Sequence, residues 1–368
     1  SFDADQKSLD ESYEKCAAAY RRIFKRMGLS TISVKADTGA MGGSGSEEFM
    51  VESEVGDDTL ILCPNCSYAA NVEKAACRPD EALDKDGKPQ VPATEQISKV
   101  DCPGVETIAA METFFKMPAT QFIKVLIYKV YNSTLDFTDA PGGKSFRREE
   151  ENTAAPYYPE SFIAVAIRGD LDVNETKLRN YLGEEVHAAL ITEESGIVAG
   201  FIGAVNLKAK AQVIYDASLK GIESLVCGAN EVDYHYVGLN IQRDVGDVEY
   251  VDVAKIYEGA LCPCCGKKTI GISNGIEIGN IFQLGTKYTK SMDMTYLDKN
   301  GEEQNPIMGC YGIGVGRLVA SICEESHDDY GPIWPISIAP WQVEICNLRR
   351  KDDEVSAQCE KLYDELQS

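Results

Sequence analysis

Two cysteine turns carry the most specific chemistry in the sequence, Cys63-Pro-Asn-Cys66 and Cys262-Pro-Cys-Cys265-Gly266. Thiolates spaced Cys-x-x-Cys can point at one ion, and two such turns complete a tetrahedral zinc site. The same residues also suit two unrelated pairs of reduced thiols, or a redox pair, and Cys264 offers a spare ligand. Their long separation fits one zinc site only if everything between them is an insertion whose ends meet. A second constellation is GCYGIGVGR, Gly309–Arg317, a glycine-rich turn running into a helix. Alone it can mean no more than close helix–sheet packing, but a guanidinium on the first helical turn can stack on a base or fork a phosphate. The third is TGAMGGSGSEEF, residues 38–49, where glycines let a ligand approach the backbone. It lacks the Gly-Lys-Ser/Thr ending of a phosphate cradle. Glu47 and Glu48 suit an ammonium group, a metal ion or another cationic end.

The elements that must position these residues sit in a chain of 368 residues, 44% apolar, long enough for two or three domains. A formal net charge of −23 excludes a nucleic-acid binder held by bulk electrostatics. It leaves room for a local basic face, although RRIFKR (21–26) and LRRK (348–351) read first as solvated helix faces. Thirteen cysteines without a secretory signal indicate a reducing, cytoplasmic compartment, and no apolar run is long enough to span a bilayer. The opening Ser-Phe-Asp-Ala-Asp reads as the start of a fragment.

Periodicity predicts a helix over 8–28, with Ser8 and Glu11 as a capping box and Gly28 as the stop. Strands follow at 30–36 and 59–66. Residues 78–104 are polar and proline-containing, a linker by composition. Beyond them come a helix near 106–116, strands at 124–131 and 162–170, a helix over 174–183, and strands at 211–216, 224–230 and 234–240. The stretch 132–160 has no periodicity and reads as a mobile loop. After Ile256 the pattern predicts antiparallel strands at 276–288 and 292–298, a glycine-rich entry to a helix across 308–326, a buried strand in 334–348, and a helix over 353–366.

GCYGIGVGR with GPIWPISIAPWQVEI (331–345) resembles motif 3 and its downstream strand in bacterial-type prolyl-tRNA synthetases. Residues 36–60, 68–75 and 275–288 resemble other catalytic segments of that family. CPGVETI (102–108), IRGDLDVNETKL (167–178) and CGANEVDYHYVGLNIQRD (227–244) resemble its inserted editing domain. The resemblance covers nearly the whole chain in the family's order. It implies an α/β (α+β) fold: a class II antiparallel sheet flanked by helices, interrupted by a mixed α/β editing domain. The implied layout is a first catalytic part (1–77), a linker (78–104), the insert (105–255), a second catalytic part (256–340), and the start of an anticodon-binding domain (341–368).

The implied activity is ATP-dependent activation of proline with Mg2+ and transfer to tRNA(Pro), with hydrolysis of mischarged Ala-tRNA(Pro). Arg317 matches the motif 3 arginine that contacts ATP, and Gln283 and Thr286 match residues lining that site. Cys310 and Gly312 fall on the floor of the proline pocket, and Glu48 matches an acid facing the substrate's amine. Lys177, Gly200, Asp216 and His235 match the editing pocket. Cys63, Cys66, Cys262 and Cys265 remain the candidate Zn2+ ligands. The chain departs from the family at Glu47 and Asn280, where histidine is frequent, and at Ala204, where the editing loop usually has proline. Motif 1, which implies a homodimer, and the motif 2 arginine are expected before Ser1, so the polypeptide alone is expected to be incompetent for activation. Two other readings use the same residues: an editing-only Ala-tRNA(Pro) deacylase with a degenerate synthetase remnant, and a tRNA-binding module without chemistry.

Overall fold

The computed structural model describes residues 1–89, 91–130, 161–191, 195–207 and 211–367. The predicted loop 132–160 lies outside them. The chain divides into two compact units: residues 1–32, 49–56 and 276–368 form the first, and residues 33–48 and 57–275 the second.

The first unit is organised by the helix Gln6–Arg26. Its cap is one turn earlier than the sequence suggests. Ser8 N–H donates to Asp5 Oδ1 (2.8 Å) and Asp5 N–H to Ser8 Oγ (3.2 Å), so Ser8 closes a capping box that Asp5 opens. The carboxylate is the stronger acceptor, and the helix starts two residues earlier than expected and, at Arg26, also ends two earlier. Leu9, Tyr13, Ala17, Tyr20 and Phe24 form its buried stripe. Most of this stripe packs on Phe49, Val51, Ile278, Ile281, Leu318 and Ile322. Tyr20, Phe24 and Phe49 make a three-ring cluster with centroids 5.4–5.7 Å apart. Gly28 takes φ +79° and ends the helix, as expected.

The same core holds an antiparallel pair. Strand Ile307–Ile313 lies against residues 279–285 of the long strand Gly271–Gly285, with Asn280 opposite Gly312 and Phe282 opposite Cys310. Its other edge takes Phe2–Asp3. Helix Val315–Glu325 follows at once. The expected strand 292–298 does not pair with 276–288. Gly285, at φ +64°, ends the extended run, a short helix Lys287–Ser291 follows, and Tyr296–Leu297 pairs with Glu303–Gln304 across the Asp298–Gly301 turn. The buried strand expected within 334–348 is also absent. Ile336, Trp341, Val343 and Leu348 are exposed, and Pro335 and Pro340 remove the donors a ladder needs. Helix Asp353–Gln367 forms as expected.

The second unit contains a small sheet edge and two larger layers. Strand Asp58–Leu62 pairs antiparallel with Ala69–Asn71 and with residues 271–275. A five-stranded mixed sheet runs in the order Tyr250–Val251, Ala211–Asp216, Ser161–Arg168, Ile123–Val130, Val186–Ala188. Its central strand pairs in parallel with Ala211–Asp216 and antiparallel with Ile123–Val130. Being covered on both sides, that strand reads as a continuous apolar run, FIAVAI. Helices Ile108–Phe115 and Glu175–Leu182 start at Thr107 and Asn174, whose side chains accept from the first turn. A three-stranded antiparallel sheet joins Leu225–Gly228, Tyr234–Leu239 and Ser98–Asp101. That last strand corrects the linker expected over 78–104. Its four residues are polar except Val100, as suits an edge strand, and composition alone hid it.

Phe24→Ala removes the centre of the three-ring cluster and should cost about 3–5 kcal/mol. Urea unfolding followed by far-UV circular dichroism measures it; an unchanged midpoint would show that the helix does not depend on this contact.

Candidate functional site

The second unit gathers most of the candidate residues. Cys63, Cys66, Cys262 and Cys265 bring their sulfurs within 4.8 Å of one another. The Cys63–Cys265 and Cys66–Cys262 separations are 3.7 and 3.6 Å. A tetrahedral ion with bonds of about 2.3 Å requires sulfurs about 3.8 Å apart, so the donor set fits zinc in kind, number and spacing. The Thr269 hydroxyl, 3.3 Å from Cys63 Sγ, helps pull that thiol down to about 6. Cys264 is exposed and outside the group.

The glycine segment is folded by its own backbone and by a charged neighbour. Gly42 and Gly43 take φ +69° and +105°, which a side chain would strain. Asp37 accepts from Gly39 N–H (2.9 Å) and Asn180 Nδ2 (2.5 Å), with Arg179 at 3.5 Å. Glu48 accepts from Asn71 Nδ2 at 3.3 Å, and Glu47 from the Ser33 hydroxyl at 2.7 Å.

The four residues matched to an editing pocket fall into two groups. Lys177 Nζ donates to both oxygens of Asp252 (2.9 and 3.1 Å) and to the Ala254 carbonyl (2.9 Å). Asp216 accepts from Ser218 N–H and Val253 N–H, on the same 252–254 segment. Burial pushes the Asp252 carboxyl up, against the pull of Lys177. Asp252 carried no signal in the sequence, because its role appears only once the 252–254 segment meets the helix Glu175–Leu182.

The other group surrounds His235, which is 1% exposed. Its ring is edge-on to Phe115 and Phe201, at 5.9 and 5.4 Å. Its Nδ1 lies 2.8 Å from Cys102 Sγ. Gly200 precedes Phe201 at φ +81°, where an added Cβ would come 2.9 Å from Glu106 Cγ. Ala204 does not leave the 200–204 loop slack. Tyr215 Oη donates to its carbonyl (3.0 Å), and Asn230 brackets the loop through Gly203 N–H (2.8 Å) and the Val205 carbonyl (2.7 Å).

In the first unit, Arg317 stands on the first turn of Val315–Glu325 and donates to the Glu277 carbonyl (2.8 Å) and Oε2 (2.7 Å). Asn280 Nδ2 donates to the other oxygen of Glu277 at 2.7 Å. An added Cβ on Gly312 would sit 3.0 Å from Asn280 Oδ1, so the amide and the glycine fit each other across the strand pair. Gln283 Nε2 donates to Asp10 Oδ1 (2.9 Å), and Thr286 starts the short helix with its carbonyl accepting from Lys290 N–H (2.9 Å). Cys310 is half-buried opposite Phe282. Glu277, unnoticed in the sequence, is the residue that holds Arg317.

A glycine-rich strand thus enters a helix whose first turn presents an arginine, on an antiparallel sheet backed by a long amphipathic helix. The tRNA synthetase class II core domain (G, H, P, S and T) matches residues 1–326, and the chain belongs to that family. Among curated proteins, a proline–tRNA ligase of Treponema denticola is 47% identical over 369 residues, 99% of this chain and 60% of that protein. One from Brachyspira hyodysenteriae is 40% identical over 372 residues, 100% of this chain and 58% of that protein. The chain thus spans about three fifths of the length of these relatives. A crystal structure described as a candidate trans-editing enzyme for prolyl tRNA synthetase aligns with 43% of this chain and 86% of its own, at 12% identity and a TM-score of 0.31. Among the described residues, no helix is long and apolar enough to cross a membrane.

Burial lowers the His235 pKa below its ordinary 6.5. Between those two values the unfolded chain binds a proton that the folded chain refuses, so stability falls as pH drops through 6.5 toward the folded value. The urea midpoint should therefore decline from pH 7.5 to 6, and His235→Gln should flatten the slope. Equal slopes in the two proteins would place the proton elsewhere.

Proposed function

We propose that the chain carries the catalytic chemistry of a proline–tRNA ligase: activation of proline by ATP with Mg2+, transfer to tRNA(Pro), and hydrolysis of Ala-tRNA(Pro). The observation that carries this reading is the 47% identity to the Treponema denticola ligase across 99% of the chain. In this reading residues 1–77 and 256–340 form the synthetase core, 105–255 the editing insert joined by 78–104, and 341–368 the start of an anticodon-binding domain. The protein works in the cytoplasm, as a homodimer.

Arg317 then turns from Glu277 to the phosphates of ATP and stabilises the charge that develops as pyrophosphate leaves. Gln283 and Thr286 line the adenylate site. Cys310 and Gly312 leave room for a pyrrolidine ring, and Glu48 supplies negative charge for the substrate's amine. A pocket sized for proline cannot strongly reject the smaller alanine, which accounts for a second, hydrolytic site. Lys177 holds the tRNA end there, with Asp216 fixing the 252–254 segment beside it, and Gly200 and His235 shape the alanine pocket. The four cysteines hold a structural Zn2+ that ties the insert's two ends together.

Replacing the matched region of the Treponema denticola ligase by this chain should preserve proline-dependent ATP–pyrophosphate exchange. Arg317→Ala in that chimaera should lower it by about 10²–10³-fold. Exchange driven by another amino acid, and not by proline, would overturn the reading. For the insert, the chain itself should deacylate Ala-tRNA(Pro) and Lys177→Ala should not; undiminished hydrolysis by a folded variant counts against the assigned pocket. Metal analysis in non-chelating buffer should find about one zinc per chain, and less than about half an equivalent contradicts the metal site.

A further inference from the structure

Cys102 and His235 form a buried pair that the sequence did not single out as one: Cys102 is 0% and His235 1% exposed, and Sγ lies 2.8 Å from Nδ1. The remaining contacts of the thiol decide where its proton goes. The Asp233 carbonyl is 3.4 Å away and already accepts the Cys102 N–H at 2.7 Å; the Val100 carbonyl is 3.6 Å away. Nδ1 is the nearest acceptor and has no other donor among the described residues. Burial raises the Cys102 thiol and lowers the His235 imidazole, so both are neutral near pH 7 and each carries one proton. With the thiol proton on Nδ1, the ring proton must sit on Nε2. Nε2 meets no protein acceptor among the described residues, although the ring is enclosed by Phe115 and Phe201. With its other nitrogen pinned, the Nε2–H is left to an oxygen that the protein does not supply.

We propose that Cys102 is a positioning residue for the hydrolytic site: its thiol donates to Nδ1 and locks His235 as the Nε2–H tautomer, which donates a hydrogen bond to an oxygen of the bound aminoacyl ester. This rests on the reading of the insert as an Ala-tRNA(Pro) hydrolase. It gives His235 a donor's part and excludes it as a general base at Nε2, since that atom has no free lone pair. Water activation must fall to another group.

The chain has three histidines, so selective 15N-histidine labelling gives three ring systems to assign, with His235→Gln identifying the one in question. Long-range proton–nitrogen correlation at pH 7.5 should show a bare Nδ1 and a protonated Nε2 for His235. Cys102→Ser, which keeps a donor, should preserve that pattern, whereas Cys102→Ala should mix the tautomers. Deacylation of Ala-tRNA(Pro) should fall in kcat by roughly tenfold in Cys102→Ala, the loss of about one hydrogen bond, and recover in Cys102→Ser. A proton on Nδ1 in the unsubstituted chain overturns the proposal, as does an unchanged tautomer in a folded Cys102→Ala. If Cys102→Ala does not fold, the unsubstituted chain and Cys102→Ser still decide the tautomer. An unsubstituted chain that does not hydrolyse Ala-tRNA(Pro) overturns the hydrolase reading and the substrate role with it. That failure is distinct from the first, because the tautomer is read without substrate.

Discussion

The second unit depends on one closure. The chain leaves Cys66 and returns at Cys262, 196 positions later, with the two sulfurs 3.6 Å apart. Bringing such ends together costs about 5 kcal/mol of chain entropy, and the cost grows only slowly with length. What must offset it is therefore local and modest: two facing cysteine turns, and the antiparallel register that sets Leu62 opposite Gly271 immediately beyond them. Once these meet, the intervening chain can fold as a body of its own. Ile61, Cys63, Cys262 and Ile270 share one buried cluster with Ile167, Leu171 and Ala254, so the closure and the central strand of the mixed sheet are set in the same core.

Buried polar groups fix what apolar packing alone leaves free. Asn174 Nδ2 donates to the Val72 and Glu73 carbonyls, Asp252 accepts from Cys77 N–H, and Arg168 reaches the Asp80 carbonyl while paired with Asp170. Each of these bonds joins residues 72–80 to elements far away in the chain. Removing one partner would strand a buried charge or amide, whereas shifting the packed surfaces by a residue would strand several at once. Lys177 and Asp252 belong to this network.

Much of this was legible locally. The stop at Gly183 and the apolar run FIAVAI announced their elements because the cause of each lies within a few residues. The paired cysteine turns announced a site because both halves carry the same spacing. The sequence misled where apolar content was taken for burial. WPISIAPWQVEI has the composition of a core strand, but alternation cannot say what would cover it, and two prolines deny it a ladder. Cys102 was hidden for a different reason: its partner stands 133 positions away, and only the pairing of Ser98–Asp101 with Tyr234–Leu239 brings the thiol to the ring.

The same dependence on register governs Arg317. Its grip on Glu277 is half in solvent, with 53% of the arginine side chain exposed, so the ion pair is worth at most about 1 kcal/mol and screens readily. A polyphosphate offers the guanidinium more charge than one carboxylate does, and in the proposed reading it takes that carboxylate's place. Glu277 is not released at random when that happens, because Asn280 still donates to its other oxygen. Asn280 in turn is held against Gly312 by the strand register, and no side chain larger than glycine's hydrogen fits opposite the amide without moving it. The small residue that leaves space on one strand is thus the condition for the amide on the next, and the amide is the condition for an arginine that is both positioned and free to change partner.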